Sequence, residues 1–374
     1  MKFLHMADLH LGKRLNDVSF LEDQKSLLQQ AADIARTEQV DAVLIAGDVY
    51  QKASPQSEAM AVFDSFITQL RANGAKVFII SGNHDSAQRI SYFSSLLKNA
   101  GVYVSEAFDG RLQQIRLCDE YGPLTVHLLP FVKPVQVRHF FPDQPIESYQ
   151  EAVQAVLAHS SVNVVERNVL LCHQFIVGAE RCDSEEQTIG GLDQIDGSIF
   201  HDFDYVALGH LHKPQCCMRD TMRYAGSLMK YSFSEVDPRK SITLVTMLEK
   251  GTVQWRTVPL NAPHDMRLVE GMLEDIIAMP YSEDYVWATI HDELPPPDAR
   301  VSITTVFPNL MQFSVVNAKT KADGDVLARE NLRSKSVSDL FTDFYRLQNN
   351  DERPTERHVP LLESILKELE DEQE

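Results

Sequence analysis

Apolar and polar positions in the first part of the chain follow two alternating patterns. Short, mainly apolar runs predict buried strands at "KFLHMAD" (2–8), "VDAVLIAGD" (40–48) and "AKVFII" (75–80). Between these runs, apolar residues recur at helical spacing, in one stripe from Phe20 to Ala35 and in another from about Gln56 to Asn73. This alternation of strands and helices predicts a parallel sheet covered by helices.

Later apolar runs continue the series of strands with shorter connections. They are "LTVHLLPF", "NVLLCHQF", "YVALGH" and "SITLVTM". Because a parallel neighbour needs a long crossover, short connections indicate that part of the sheet is antiparallel. The predicted fold is therefore α/β, with mixed sheets flanked by helices.

A change of pattern near "VPLNAPHDMR" (258–267) divides the chain. We place a main domain at 1–264, a small α/β domain at 265–320, a polar linker at 321–335 and a helical tail at 336–374. The tail holds two short amphipathic helices, which are too small to form a core of their own. Their apolar stripes are Val337, Leu340, Phe341 and Phe344, then Leu361, Leu362, Ile365 and Leu369.

The charge balance restricts how this protein could bind nucleic acid. The 374 residues include 35 Lys and Arg against 54 Asp and Glu, a formal net charge of -19. Phosphate contacts need clustered basic residues, so this composition excludes a protein that coats nucleic acid by bulk charge. Any contact with nucleic acid must rest on a local site, a bound cation or a partner.

Cysteine usage and hydropathy indicate the compartment. The five cysteines are an odd number without a C-x-x-C pair, which is typical of free thiols in a reducing environment. The first residues, "MKFLHMADLH", contain no uninterrupted apolar segment of signal-peptide type, and no later run has transmembrane length. We expect a cytosolic protein.

Polar residues capable of chemistry follow five of the predicted strands. The segments are "ADLH" (Asp8, His10), "AGDVY" (Asp48), "GNHD" (Asn83, His84, Asp85), "LLCHQ" (His173) and "LGHLH" (His210, His212). In α/β folds, ligands bind at the carboxyl ends of the strands. All five segments can therefore converge on one edge of the sheet.

Each segment alone has an ordinary explanation. Asp8 with His10 is compatible with a turn, Asp48 with a cap of the next segment, and His173 with a hydrogen-bonded core histidine. The spacing of His210 and His212 is stronger evidence for a binding site, because alternate side chains of an extended segment can reach one pocket.

Taken together, the five segments favour a metal centre. A cluster of buried Asp and His is unfavourable unless something compensates its charge, and cations are the simplest compensation. Oxygen and imidazole ligands without thiolate favour manganese or iron over zinc, and so many donors suit two ions rather than one. Two ions about 3.5–4 Å apart are a known device for in-line displacement at phosphorus.

The order and intervals of these segments resemble the calcineurin-like metallophosphoesterase superfamily. Within it, longer stretches resemble the SbcD family of bacterial nuclease subunits, which is related to a eukaryotic double-strand-break repair nuclease. The stretches are "FLHMADLHLGKRL", "VLIAGDVYQKASP", "SGNHDSAQRI", "YVALGHLHKPQ" and "YAGSLMKYSFSE". The likeness extends over nearly the whole chain and implies a sandwich of mixed sheets, a small capping domain and a helical tail.

The resemblance also implies a role for each residue of the site. Two divalent ions, manganese by preference, would be held by Asp8, His10, Asp48 and His212 and by Asp48, Asn83, His173 and His210, with Asp48 as the bridge. A hydroxide activated by both ions would attack the phosphorus. His84 would assist the leaving oxygen, and Asp85 would fix the tautomer of His84 and raise its basicity.

The same resemblance implies partners. The tail would bind the coiled-coil base of an SbcC-type ATPase, unless its helices fold back on their own domain. The helix with Ala59, Phe63, Phe66 and Leu70 has a wide apolar arc, as does the segment with Phe93 and Leu96. A homodimer within a heterotetramer is therefore expected, and thicker packing inside one subunit is the alternative.

The implied function is a metal-dependent DNA nuclease in double-strand-break processing, repair and recombination. The family implies 3′–5′ exonuclease action on duplex ends and endonuclease action on single strands and hairpins. Two alternatives remain: a phosphodiesterase acting on nucleotides or small phosphate esters, and a scaffold that has the fold without the chemistry. A small substrate needs neither cap nor tail, and a scaffold has no need of the complete ligand set.

Overall fold

The computed structural model describes residues 1–16, 18–182, 185, 194–237, 239–316, 341–342 and 345. The chain forms two compact units. The larger comprises Met1–Val269, Pro280–Ala288 and Ile303–Gln312. The smaller comprises Glu270–Met279, Thr289–Ser302 and the described part of Phe313–Glu374. The domain boundaries expected from the sequence stay a prediction.

The strands are short, and most are uncharged along their length. In chain order they are β1 (Lys2–Met6), β2 (Arg14–Leu15), β3 (Val18–Ser19), β4 (Ala42–Ala46), β5 (Lys76–Ile80), β6 (Val102–Val104), β7 (Gln113–Asp119), β8 (Gly122–Leu129), β9 (Arg167–His173), β10 (Phe175–Ile176), β11 (Gln194–Ile195), β12 (Tyr205–Gly209), β13 (Gln215–Cys217), β14 (Arg219–Tyr224), β15 (Ser241–Met247), β16 (Val253–Pro259), β17 (Met266–Gly271), β18 (Tyr285–Ile290) and β19 (Leu310–Val315).

The helices lie mainly between the strands of the first half of the chain. They are α1 (Leu21–Thr37), α2 (Ser57–Ala72), α3 (Ala87–Ile90), α4 (Ser94–Asn99), α5 (Pro134–Phe140), α6 (Tyr149–Ala158), α7 (Leu273–Ile277) and α8 (Ala299–Thr304). No helix among the described residues is long and apolar enough to cross a membrane.

Two six-stranded sheets form the larger unit, and both are mixed, as predicted. The first has the order β16-β15-β1-β4-β5-β6. Its strands β1, β4, β5 and β6 are parallel, while β15 and β16 join by antiparallel pairing. The second has the order β13-β14-β12-β9-β8-β7, with β14, β12, β9 and β8 parallel and both outer strands antiparallel.

Three apolar layers hold the sheets and helices together. Successive side chains of a strand point to opposite faces, so Phe3 faces the layer between the sheets while Leu4 faces the helices. The layer on the outer face of the first sheet contains side chains of α1 and α2, and the layer on the second sheet contains side chains of α5 and α6. The result is a sandwich of two sheets flanked by helices, which confirms the predicted fold class.

A three-stranded sheet, β17-β18-β19, follows the sandwich in the chain. Its strands β18 and β19 and the helix α8 lie where the sequence predicted them, at "EDYVWATIHD", "LMQFSVVNAKT" and "DARVSITTVF". The predicted linker, 321–335, and nearly all of the predicted helical tail, 336–374, lie outside the described residues.

Candidate metal centre

The polar residues singled out by the sequence meet at one edge of the sandwich. They follow or end five strands that run parallel within their sheets, three from the first sheet and two from the second. Asp8 and His10 follow β1, Asp48 follows β4, and Asn83 and His84 follow β5, while His173 ends β9 and His210 and His212 follow β12.

Glycine allows the ends of the two sheets to approach closely. Gly47 has a φ of +91°, and a Cβ there would lie 2.7 Å from Cγ of His173. A Cβ at Gly209 would collide with the carbonyl oxygen of Ala46. A side chain at either position would push apart the strands that carry the cluster, so both positions need glycine.

Four site residues have left-handed backbones although none is glycine. The φ values are 52° at Asp8, 43° at His10, 49° at Asp48 and 104° at His210. Such conformations cost about 1–3 kcal/mol each and persist where surrounding contacts enforce them. Here Asp8 N–H donates to Gly47 O at 3.1 Å, and His10 N–H donates to Asp48 O at 2.9 Å. The two loops therefore hold each other in place.

One group of donors contains Asp8, His10 and His212. One ligand atom from each lies within 4.8 Å of the other two. The Nε2 atoms of His10 and His212 are 3.1 Å apart. Two imidazole nitrogens about 2.1 Å from a shared ion would have a comparable separation.

A second group contains Asn83, His173 and His210. Asn83 Oδ1 lies 3.1 Å from His173 Nε2 and 3.1 Å from His210 Nδ1. Asp48 lies between the two groups, because its Oδ2 is 3.4 Å from His173 Nε2 and 3.6 Å from His10 Nε2. One carboxylate oxygen thus faces both groups, as a bridging ligand must.

Burial disturbs the titration of the cluster. It raises the pKa of Asp8 well above its ordinary value, and it lowers the pKa of His210 to about 3. Burial also disfavours the charged forms of Asp48 and His173, but the attraction between the two side chains is stronger than this effect of burial. It holds the pKa of Asp48 well below its usual range and raises the pKa of His173 to about 9.

The donor set fits divalent cations. Asp8, His10, His173 and Asp48 are at most 2% exposed, and Nδ1 of His10 is buried without a hydrogen-bond partner in the described structure. Imidazole nitrogens beside carboxylate oxygens are suitable ligands for such cations, and thiolates are absent from these groups. Cations would supply the positive charge that the side chains lack.

Outer hydrogen bonds fix which nitrogen two of the imidazoles present. His173 Nδ1 lies 2.7 Å from Ala46 O, so it carries the proton and leaves Nε2 for a ligand bond. His212 Nδ1 lies 3.3 Å from Glu235 Oε1. Glu235 is fully buried and ion-paired with the ammonium of Lys240. This carboxylate contacts Nδ1 of His212 and so turns Nε2 toward His10.

The Asp8–His10 loop has a second support from helix α1. The side-chain amide of Gln24 donates to the carbonyl oxygens of Leu9 and His10, at 3.1 and 2.9 Å, and to the hydroxyl of Tyr231. Gln24 was not predicted, although it lies on the apolar stripe of its helix, where a polar residue signals a buried partner. Glu235 was also missed, because its sequence context resembles an ordinary surface carboxylate.

His84 lies at the solvent-facing side of the cluster. Its side chain is 18% exposed, and its ring packs edge-on against His10 with centroids 4.9 Å apart. His84 Nε2 is 3.9 Å from Asp48 Oδ2, and the backbone N–H of His84 donates to Asp48 Oδ1 at 3.0 Å. The imidazole is thus beside both donor groups and accessible to a substrate.

The contacts of Asp85 differ from the expected role. Its carboxylate was predicted to fix the tautomer of His84, but it accepts backbone N–H groups from Gly82, Val49 and Tyr50 at 2.9, 3.0 and 3.0 Å. A carboxylate engaged with three amides is turned toward the backbone rather than the imidazole. Asp85 therefore ties the loop after β4 to the loop after β5.

Comparison with protein families agrees with this architecture. The family model for calcineurin-like phosphoesterases matches residues 1–214, which is more than half of the chain. This chain therefore belongs to the calcineurin-like phosphoesterase family. A second model, SbcD_C, described as the type 5 capsule protein repressor C-terminal domain, matches residues 262–349.

Curated relatives narrow the assignment to the SbcD family, which confirms the resemblance seen in the sequence. The SbcD subunit of the SbcCD nuclease of Staphylococcus epidermidis is 33% identical over 324 residues, covering 84% of this chain and 86% of that protein. The corresponding SbcCD nuclease subunit of Staphylococcus saprophyticus is 30% identical over 322 residues, covering 84% of both.

Solved structures add a distant likeness. A dimetal phosphatase from Danio rerio is 14% identical, covers 70% of this chain and 99% of its own, and gives a TM-score of 0.40. The protein TT1561 of Thermus thermophilus is 12% identical and gives a TM-score of 0.39. The match covers 68% of this chain and 98% of TT1561. The family assignment rests on the sequence matches alone.

We expect Glu235→Gln to weaken cation binding by roughly 10–100-fold, the usual effect of losing an outer partner of a metal-bound histidine. The change removes the charge that orients His212 and balances Lys240. Calorimetric titration of the metal-free protein with Mn²⁺ measures the affinity. Glu22→Gln is the matched control, because the Glu22 side chain is 84% exposed. Equal affinity in Glu235→Gln and the wild type would contradict this role.

Asp85→Asn should destabilise the fold by about 1–3 kcal/mol, because an asparagine amide cannot accept from all three N–H groups and leaves at least one of these donors without its partner. Urea unfolding of the metal-free protein measures this loss. Asp64→Asn, at an exposed position of α2, is the control and should stay within about 0.5 kcal/mol of the wild type. If the free energy of unfolding of Asp85→Asn also stayed within about 0.5 kcal/mol of the wild type, the three contacts would not hold the loops together.

Proposed function

We propose that this chain is the nuclease subunit of an SbcCD-type complex and hydrolyses phosphodiester bonds of DNA together with an SbcC-type ATPase. The observation that carries the proposal is the pair of donor groups joined through Asp48, with His84 beside them at the solvent-facing side. Relatives similar over most of the chain are named as SbcD subunits of the SbcCD nuclease. The proposed action is 3′–5′ exonuclease cutting of duplex ends and endonuclease cutting of single strands and hairpins.

The proposed ligands fall into the two groups described above. Asp8, His10, Asp48 and His212 would hold one cation, and Asp48, Asn83, His173 and His210 the other. Mixed nitrogen and oxygen ligands without thiolate support manganese. When bound, two such cations supply an activated water and neutralise charge on the phosphate oxygens.

The side chains of this chain prepare the site for in-line attack. The His84 backbone N–H holds Asp48 Oδ1, which leaves Oδ2 turned toward both donor groups. Asp85 pins the backbone at Gly82 and so positions the following Asn83 and His84. In the proposed mechanism, the His84 imidazole donates a proton to the leaving oxygen of the scissile phosphate.

Surface features support the proposed partners. Met60 on α2, Phe93 and Leu96 are 51%, 60% and 65% exposed, and an apolar surface of this kind suits a second copy of the chain. The homodimer would join two SbcC-type subunits in a cytoplasmic heterotetramer. The tail, residues 336–374, is proposed as the segment that binds the SbcC-type coiled coil.

The first test is cleavage of end-labelled duplex and hairpin DNA by the purified protein with Mn²⁺. Wild-type protein should cut, and Asp48→Asn should not, because it removes the shared ligand. His84→Ala should bind two equivalents of Mn²⁺ in calorimetry yet cut roughly 10²–10⁴-fold more slowly, the usual contribution of a general acid.

Three results would overturn parts of this proposal. Near-normal cutting by His84→Ala would rule out its role at the leaving oxygen. A wild-type protein that hydrolyses a small phosphodiester but no DNA would favour the alternative substrate class. A protein that binds Mn²⁺ and hydrolyses neither would point to the scaffold.

Deletion of the residues after Ser334 should abolish binding of the SbcC-type partner while sparing Mn²⁺-dependent cutting by the isolated subunit. The reason is that the two apolar stripes of this segment need a docking surface. Size-exclusion chromatography of the mixed subunits measures complex formation. A truncated chain that still forms the complex would place the binding surface elsewhere.

A further inference from the structure

A cavity of about 470 Å³ adjoins the second donor group, and the site described above does not use it. Asn83 and Asp85 contribute to one part of its wall, next to the cluster. The remaining wall includes Phe108 and Phe131, with further residues from helix α5. The volume lies within the range of small-ligand pockets, about 300–1,000 Å³.

Aromatic rings dominate the apolar part of this wall. Phe108 and Phe140 meet edge to face with centroids 5.4 Å apart, and Phe140 remains 40% exposed. Phe131 packs edge-on against the ligand His173, with centroids 6.3 Å apart. The aromatic wall thus connects directly to the second donor group.

Polar groups accompany these rings. Lys133 and His139 are exposed residues of the same wall, and Lys133 directly precedes α5. A cavity walled by aromatic rings with hydrogen-bonding groups beside them suits a ligand with π faces and polar edges. A nucleobase has this chemistry, and stacking on aromatic side chains is how proteins hold unpaired bases.

We infer that this cavity binds one unstacked nucleobase, from a nucleotide that flanks the phosphate at the metal centre. The inference rests on the proposed function and specifies its substrate. A base inside a duplex is covered by its neighbours, so binding requires a nucleotide that has left the stack. Frayed ends, single strands and hairpin loops supply such nucleotides at the lowest cost.

The test compares substrates that differ by one base. Labelled single-stranded DNA with one defined cleavage position carries a tetrahydrofuran abasic residue at either nucleotide flanking that phosphate. Loss of the base at one of the two positions should slow Mn²⁺-dependent cutting there by roughly tenfold, in line with base–aromatic stacking. In Phe108→Ala and Phe140→Ala, the ratio of intact to abasic rates should fall toward one.

A matched control separates the cavity from a general effect of aromatic loss. Tyr121, 42% exposed in the turn between β7 and β8, lies outside the cavity wall. Tyr121→Ala should retain the wild-type ratio. Thermal unfolding of each variant checks folding, and the ratio is internal to each protein, so partial loss of active enzyme does not affect it.

A binding measurement distinguishes this inference from the proposed function. In Mn²⁺, the wild type should bind deoxyadenosine monophosphate roughly tenfold more tightly than deoxyribose 5-phosphate, and Phe108→Ala should not discriminate. Equal cutting rates for intact and abasic DNA, together with equal binding of both compounds, would overturn the base cavity but not the proposed nuclease activity. Base-dependent binding without DNA cutting supports the cavity and overturns the nuclease.

Discussion

Asp8 and Asp48 are carboxylates with at most 2% exposure, placed where the ends of two sheets meet. Removing a charged group from water costs several kcal/mol even after the protein relaxes, and this cost shapes the region around them. His210 N–H reaches both oxygens of Asp8, at 3.0 and 3.1 Å, and His84 N–H reaches Asp48. These contacts compensate part of the charge, and cations at the two donor groups would compensate the rest.

The sandwich makes this arrangement possible because its strands bring the candidate ligands together. Three of the strands that carry them belong to one sheet and two to the other, and the apolar layer between the sheets fixes their separation. The strained backbones of His10 and Asp48 lie shortly after such strands. Folding therefore supplies the energy that holds the donors together against their mutual repulsion.

Much of the candidate site was predictable from the sequence because its residues follow a local rule. A polar residue directly after a buried strand must lie at the sheet edge, and parallel strands share that edge. This rule located Asp8, Asp48 and His173 without knowledge of how the two sheets pack. The same local patterns predicted α2 and β5 to within one or two residues.

The groups behind the ligands were not predictable in the same way, because their partners are set by tertiary contacts. Glu235 and His212 are far apart in sequence but adjacent in the fold, and Gln24 reaches a loop from a neighbouring helix. The contacts of Asp85 differ from the expected ones for a related reason. Adjacency in sequence suggested His84 as its partner, whereas the fold brings three backbone amides to it.

The acidic composition limits how the proposed substrate can be attracted. Lys213 pairs with Glu180, and Lys230 pairs with Asp265, so two basic groups near the ligand segments are already neutralised within the chain. A net charge of -19 then repels a polyanion at long range. Stacking of a base on Phe108 and Phe140 would not depend on this balance, because it is short-ranged and weakly screened by salt. Under the proposed function, attraction of the phosphate backbone would come first from cations at the metal centre, and an SbcC-type partner would add to it the basic surface that this acidic chain lacks.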